Sequence, residues 1–306
     1  MKNSKIGWTD DTNNPIVRAD GGFYCFKCSP GCTNCYAEGV NNRFFNETHQ
    51  PYMNMKEFPE LKLKRDMLAK WARMVKPRKI FVSSMTDVFG EFVPDEWVFE
   101  ILDAMIAAPK QTFQVLTKRA KRCRILVNQY CDRRSIGQLP NNIWIIPSVE
   151  DQKRASERIP ELMKTRCSVR GLSMEPLIEA VDLTKILYQT DGTGPVERRE
   201  YLDVINGWDY SMVGDVRVFD DQCDKIDWVV AGGESGRNAR PMHPDWVTKI
   251  KDQCVGSFIP FFFKQWGEYA VGSDFDNVHK RNHYCVLSNG DNDVYGSQVL
   301  INGNRS

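Results

Sequence analysis

Lys79-Ile-Phe-Val-Ser-Ser84, followed by Met85-Thr-Asp87 and an amphipathic stretch from about Pro94 to Ala108, decides the fold. A short unbroken apolar run ending in small polar and acidic residues predicts a strand buried on both faces. Pro94 suits the first turn of the helix that follows. The rhythm recurs down the chain. Thr112-Phe-Gln-Val-Leu-Thr117 ends in Lys118-Arg119 and runs into a helical stretch. Asn142-Ile-Trp-Ile-Ile-Pro147 ends in Ser148-Val-Glu150, and a helix rich in Arg and Glu continues to about Met163. Cys167-Ser-Val-Arg-Gly-Leu-Ser173 ends in Met174-Glu175-Pro176. Asp227-Trp-Val-Val-Ala231 ends in Gly232-Gly-Glu-Ser-Gly236, with a helix over about Pro244 to Cys254. Pro260-Phe-Phe-Phe263 ends in Lys264-Gln-Trp266.

Strands that alternate with helices imply a parallel sheet, because each parallel pair needs a crossover. A seventh strand is expected near Asn14-Pro-Ile-Val17. The fold class is therefore α/β, a complete or partial (β/α) TIM-type barrel, with a doubly wound open sheet as the alternative. One domain is expected over residues 1–268, interrupted at about 188–222 by a polar insertion. Residues 269–306, rich in Asn, Asp and Gly, read as an irregular extension of it.

The chain has 306 residues, 41 Lys plus Arg and 40 Asp plus Glu, so bulk charge cannot hold it to nucleic acid, although a local basic groove can. No apolar run approaches the roughly 18 residues of a membrane helix. The first residues carry no apolar signal segment. A cytoplasmic, membrane-free protein is expected, and there clustered cysteines bind metals rather than forming disulfides.

Four of the ten cysteines lie in Cys25-Phe-Lys-Cys28-Ser-Pro-Gly-Cys32-Thr-Asn-Cys35. Thiolates this close suit a soft metal centre. The set Cys28-x3-Cys32-x2-Cys35 matches the common radical S-adenosylmethionine spacing, in which one iron of a 4Fe-4S cluster keeps an open position. Gly31 is expected to take a positive φ and turn amides toward the sulfurs. A helix starting near Tyr36 would favour the Cys35 thiolate. Two zinc knuckles, Cys25-x2-Cys28 and Cys32-x2-Cys35, are the alternative, but zinc ribbons separate their pairs by a dozen or more residues. Cys123, Cys131, Cys167, Cys223, Cys254 and Cys285 have no such spacing and read as small buried hydrophobes.

Four separated blocks resemble the phage gene-product 37/68 family, in order and over almost the whole chain. They are Ile6-Gly-Trp-Thr-Asp-Asp-Thr, Ser29 to Glu38, Gly232 to Gly236 with Ala239-Arg-Pro-Met-His-Pro244, and Phe262-Phe-Lys-Gln-Trp-Gly267. The family looks like a divergent relative of the radical S-adenosylmethionine barrels. The resemblance implies Cys25, Cys32 and Cys35 as ligands, with Cys28 a spare. It departs from the family at Asn13-Asn14-Pro15, where Trp-Asn-Pro is usual, and in a small insertion over Arg18 to Phe23.

In a (β/α) barrel, chemistry gathers at the C-terminal ends of the strands. The candidates there are Asp87, Lys118, Glu175, Glu234 and Lys264 for catalysis. Ser83, Ser84, Thr86, Asp87, Arg119, Glu150, Gly232, Gly233 and Glu234 are expected to hold a cofactor. Hydroxyls and carboxylates would take the ribose and amino groups of S-adenosylmethionine, and Lys118 or Arg119 its carboxylate. Gly232 and Gly233 are expected to allow close backbone approach to a ligand. Arg237 and Arg240 are candidates for an anionic substrate, and His243 reads as a helix-entry residue. Lys118-Arg-Ala-Lys-Arg122, with Trp144, Trp266 and Tyr269 for stacking, admits a nucleotide or nucleic-acid substrate.

The expected function is an iron–sulfur enzyme of the radical S-adenosylmethionine type, with an electron donor as partner. The alternatives are a non-catalytic iron–sulfur or zinc protein binding nucleic acid or a partner, and a metal-dependent nuclease or hydrolase with structural cysteines.

Overall fold

A computed structural model describes residues 4, 6–44, 58–191, 198–236 and 238–271, with short strands beyond. The chain opens with strands β1 (Asp11–Asn13) and β2 (Ile16–Arg18), then helix α1 (Tyr36–Phe44). β3 (Leu61–Leu63) and α2 (Arg65–Arg73) follow. The repeating part then runs β4 (Lys79–Val82), α3 (Asp95–Ile106), β5 (Thr112–Thr117), α4 (Ala120–Arg133), β6 (Leu139–Pro147), α5 (Gln152–Met163) and β7 (Cys167–Met174). Strands β8 (Ile186–Asp191), β9 (Arg198–Asp203), β10 (Trp208–Val213) and β11 (Val216–Gln222) come next. β12 (Trp228–Gly232), α6 (Pro244–Gly256) and β13 (Phe261–Gln265) complete the set used below.

Seven strands share one sheet in the order β1-β4-β5-β6-β7-β12-β13, with β1 and β13 at its ends. The pairs β1–β4, β4–β5, β5–β6, β7–β12 and β12–β13 are parallel. The parallel α/β expectation therefore holds. The strand expected at Asn14 to Val17 is placed differently. Asp11–Asn13 enters the sheet beside β4, whereas Ile16–Arg18 pairs antiparallel with Leu61–Leu63. Pro15 between them lacks an amide donor, which breaks the ladder there.

The chain divides into two compact units. The first comprises residues 1–147 and 164–169, the second residues 148–163 and 170–306. In the first, β4 and β5 read as buried runs because they are: Ile80, Val82, Phe113 and Val115 are almost wholly enclosed. Trp71 on α2 is fully buried, packs at a tilt with its ring centroid 4.8 Å from that of Phe113, and donates its indole N–H to Asn13 Oδ1 at 2.8 Å. That bond ties a helix to the end of β1 without leaving a buried donor unpaired.

In the second unit, the stretch expected as a polar insertion forms a four-stranded antiparallel sheet, β11-β10-β9-β8. Its polarity follows from one-sided burial. Tyr201 and Tyr210 stack on the inner face at 5.4 Å, while every residue of β11 is exposed. Among the described residues no helix is long and apolar enough to cross a membrane.

Trp71→Ala leaves a cavity and an unpaired Asn13, and is expected to cost about 3–5 kcal/mol of unfolding free energy. A lower denaturant midpoint at unchanged m-value would report it.

Candidate metal-loop site

The first unit brings the cysteine loop to the ends of β4 and β5. Ser29 leads into a short 3-10 turn, Pro30–Cys32, closed by the Cys32 amide on the Ser29 carbonyl at 2.9 Å. Gly31 lies inside this turn. The positive-φ glycines of the region are Gly21 and Gly22 instead, so the expected role of Gly31 is not the one observed. Lys27 braces the loop, pairing with Glu38 at 2.7 Å and donating to the Thr33 carbonyl at 3.2 Å. α1 begins at Tyr36, as expected, and the Tyr36 hydroxyl donates to the Ser84 carbonyl at 2.6 Å. Cys25 and Cys35 pack with Phe23 against Ala37 and Met85.

The four cysteines are free of disulfides and lie in unlike surroundings. Burial pushes the Cys25 thiol up to about 12, opposed by the Arg119 charge and by a hydrogen bond from the Asp87 amide. A hydrogen bond from Cys28 pulls Cys32 down to about 5 against its burial, helped by Lys118 and the amides of Cys28 and Ser29. Burial raises Cys35, opposed by the amides of Glu38 and Ala37 at the start of α1 and by Lys118. Cys28, Lys118 and backbone amides thus favour thiolate at Cys32, the form that ligates metals, whereas burial holds Cys35 toward the thiol. Among the described residues no three Cys, His, Asp or Glu side chains stand together as a finished ligand set. The donor chemistry fits a thiophilic centre, and the sulfurs have to draw together to hold one.

Asp87 is the hub beside the loop. Its carboxylate accepts from Thr117 Oγ1 at 2.8 Å, from the amides of Phe89 and Lys118 at 3.0 and 2.9 Å, and from Arg119 Nη1 at 3.2 Å. Arg119 is equally committed. Nε reaches Glu91 at 2.7 Å, Nη2 reaches the Phe26 carbonyl inside the cysteine loop at 2.7 Å, and the guanidinium lies over the Phe92 ring. Burial works against its charge, but Asp87 and the neighbouring thiols outweigh that and hold its pKa above the ordinary value.

The candidates just after β4 divide in two. Ser84 is held by Asn14, whose Oδ1 also accepts the Met85 amide at 2.9 Å. Ser83 sits in the left-handed region at φ 60°, and its hydroxyl is buried without a hydrogen-bond partner, as is that of Thr86. A strained non-glycine residue with an unmet buried hydroxyl costs stability, and such residues gather at ligand sites. Sequence reasoning missed Asn14, Glu91 and Thr117. The Asn14-Pro15 block was the one available signal for Asn14; the other two have none.

The second unit holds the remaining candidates as ion pairs. Glu150 is buried with Arg158, its Oε2 at 2.7 Å from Nη1. Glu175 meets Lys264 at 2.5 Å. Glu234 accepts from the Arg240 amide at 2.8 Å and from its guanidinium Nη2 at 2.6 Å. Arg237 lies outside the described residues. Gly233 is needed by the chain itself: a Cβ there would fall 1.9 Å from the Trp266 carbonyl oxygen. A Cβ on Gly232 would lie 3.3 Å from the Gln265 carbonyl oxygen. The close backbone approach expected for a ligand is thus made by the chain after β13. Trp266 is buried against Phe263 at 4.9 Å, and Trp144 donates to the Asn141 carbonyl. His243 caps α6, its Nδ1 accepting the Asp245 amide at 3.2 Å. Cys123, Cys131, Cys167 and Cys254 are buried, as expected of structural thiols, and Cys223 is half-buried. The side chain of Cys285 is outside the described set.

A family model described as "Protein of unknown function (DUF5131)" matches residues 3–291. The chain belongs to the DUF5131 family. The match spans the cysteine loop and every strand-end candidate named above. The DUF5131 description specifies no reaction, no phage origin and no radical chemistry. No curated protein and no solved structure matches the chain.

Asp87→Ala removes the counter-charge of a buried guanidinium and the acceptor of two amides. It is expected to destabilise the first unit by about 3–5 kcal/mol, measurable by chemical denaturation.

Proposed function

We propose that this chain is an iron–sulfur enzyme of the radical S-adenosylmethionine type, built on a partial (β/α) barrel. One observation carries this: four cysteines lie within the eleven residues from Cys25 to Cys35, and Cys28, Lys118 and backbone amides favour thiolate at Cys32. Cys25, Cys32 and Cys35 would hold the 4Fe-4S cluster, and Cys28 would serve through its hydrogen bond to Cys32. The bound cluster and S-adenosylmethionine would supply one-electron reductive cleavage, fed by an external electron donor.

The residues of the chain do the rest. Cys25 and Cys35, packed against Met85 and Ala37, keep water from the inner side of the loop. The hydroxyls of Ser83 and Thr86 supply unmet hydrogen-bonding capacity for the cofactor's polar groups. Lys118 is the cation proposed for the cofactor carboxylate, since Arg119 is already spent on Asp87, Glu91 and Phe26. In the second unit, Glu175–Lys264 and Glu234–Arg240 enter as paired groups that fix the strand-end loops.

A base or nucleotide is the proposed substrate class. Of the basic tract, Lys121 remains for it, because Lys118 is assigned to the cofactor, Arg119 is buried, and Arg122 donates to the Val93 carbonyl and pairs with Asp95.

The test is reductive turnover without oxygen. Reduced, iron-loaded protein given S-adenosylmethionine is expected to yield 5′-deoxyadenosine and methionine. Cys25→Ala, Cys32→Ala and Cys35→Ala should each abolish the yield, and Cys28→Ala should retain it. Iron-loaded, reduced protein that binds the cofactor and forms neither product would overturn the assignment.

A further inference from the structure

Arg119 makes an arrangement that neither the family description nor the proposed chemistry assigns. Its side chain is 5% exposed. Its three nitrogens go to three acceptors on two segments, the loop after β4 and the cysteine loop. Nη1 donates to the Asp87 carboxylate after β4, at 3.2 Å. Nε donates to Glu91 further along the same loop, at 2.7 Å. Nη2 donates to the Phe26 carbonyl, between Cys25 and Cys28, at 2.7 Å. Its own amide is fixed by Thr117 Oγ1 at 2.9 Å, and the same hydroxyl donates to Asp87 at 2.8 Å. The orientation of the fork is therefore set before it reaches the cysteine loop.

We infer that Arg119 is a positioning residue that docks the cysteine loop onto the ends of β4 and β5 before any metal is bound. Other contacts hold the loop elsewhere, through Lys27 to Glu38 and Thr33, and Tyr36 to Ser84. The hydrogen bond to Phe26 ties the first half of the loop to a buried charge. A carbonyl facing a charged donor inside the protein is a strong and directional tie. The planar fork is what allows three acceptors on two segments to be served at once. Lysine, a single point charge on a flexible stem, cannot reproduce it. The inference concerns the metal-free chain and holds whichever thiophilic metal the loop takes.

The experiment uses the full chain, stripped of metal under reducing conditions, and follows alkylation of each cysteine by N-ethylmaleimide with mass spectrometry. Cys123 and Cys167, both buried, report on the fold in the same sample. Arg119→Met is expected to speed alkylation of Cys25 by roughly tenfold or more while Cys123 and Cys167 stay protected, as for a loop released locally. Arg119→Lys should do the same to a lesser degree. If the guanidinium acted on Cys25 only as a nearby charge, its loss would disfavour the thiolate and slow the reaction. A Cys25 rate that is slower or unchanged in the methionine variant, with the two buried thiols protected, overturns the inference. Should Arg119→Met unfold and expose those thiols, Arg119→Lys decides alone. A wild-type Cys25 rate in that variant overturns the inference as well.

Discussion

The ion pair between Asp87 and Arg119 is the interaction on which the first unit's candidate site depends. Both side chains are almost fully enclosed, at 8% and 5% exposure. Two charges out of water are favourable only when nearly every lone pair and proton finds a partner. Here they do: Thr117, Phe89 and Lys118 complete Asp87, and Glu91 and Phe26 complete Arg119. A costly buried pair is thereby converted into a junction of β4, β5 and the cysteine loop. The apolar contacts of Cys25 and Cys35 with Met85 and Ala37 lie on the same loop and gain from being held there.

This junction also separates the roles of two adjacent cations. Lys118 and Arg119 follow β5 as neighbours and look interchangeable in a charge pattern. The backbone of Lys118 is fixed by Asp87, and its ammonium influences Cys32 and Cys35. Arg119 turns inward and is spent on protein acceptors. The second unit makes the same use of arginine at Glu150 and Glu234, where charge is consumed in holding loops in place.

Much of the fold was legible because buried parallel strands leave unbroken apolar runs. β4 and β5 begin and end within a residue or two of the expectation, and α1 starts at Tyr36 as read. The first strand was misplaced because Ile16 and Val17 are apolar, whereas the strand that enters the sheet, Asp11-Thr-Asn13, is polar. Its place is set by the hydrogen bond from Trp71 to Asn13 and by pairing with β4, which periodicity does not record. The antiparallel sheet from Ile186 to Gln222 reads as a polar insertion because Gly and Asp recur through it, and the apolar residues of its edge strand, Val216, Val218 and Phe219, are exposed rather than packed in a core. The cysteines were legible as a set. Which residues dock them was not, since Phe26 acts through its backbone carbonyl and Arg119 is one of four cations in five residues. Gly233 was legible as a close approach but not as an approach to the backbone at Trp266, because the partner lies 33 residues away in the chain.

The loop from Cys25 to Cys35, docked on the ends of β4 and β5, is the proposed iron–sulfur site. The most direct measurement is the metal content and metal-edge X-ray absorption of protein purified without oxygen. The account predicts about four irons with matching sulfide per chain and an iron–sulfur shell that disappears in Cys32→Ala. Stoichiometric zinc in a four-sulfur shell, with no iron taken up on anaerobic reconstitution, would contradict it.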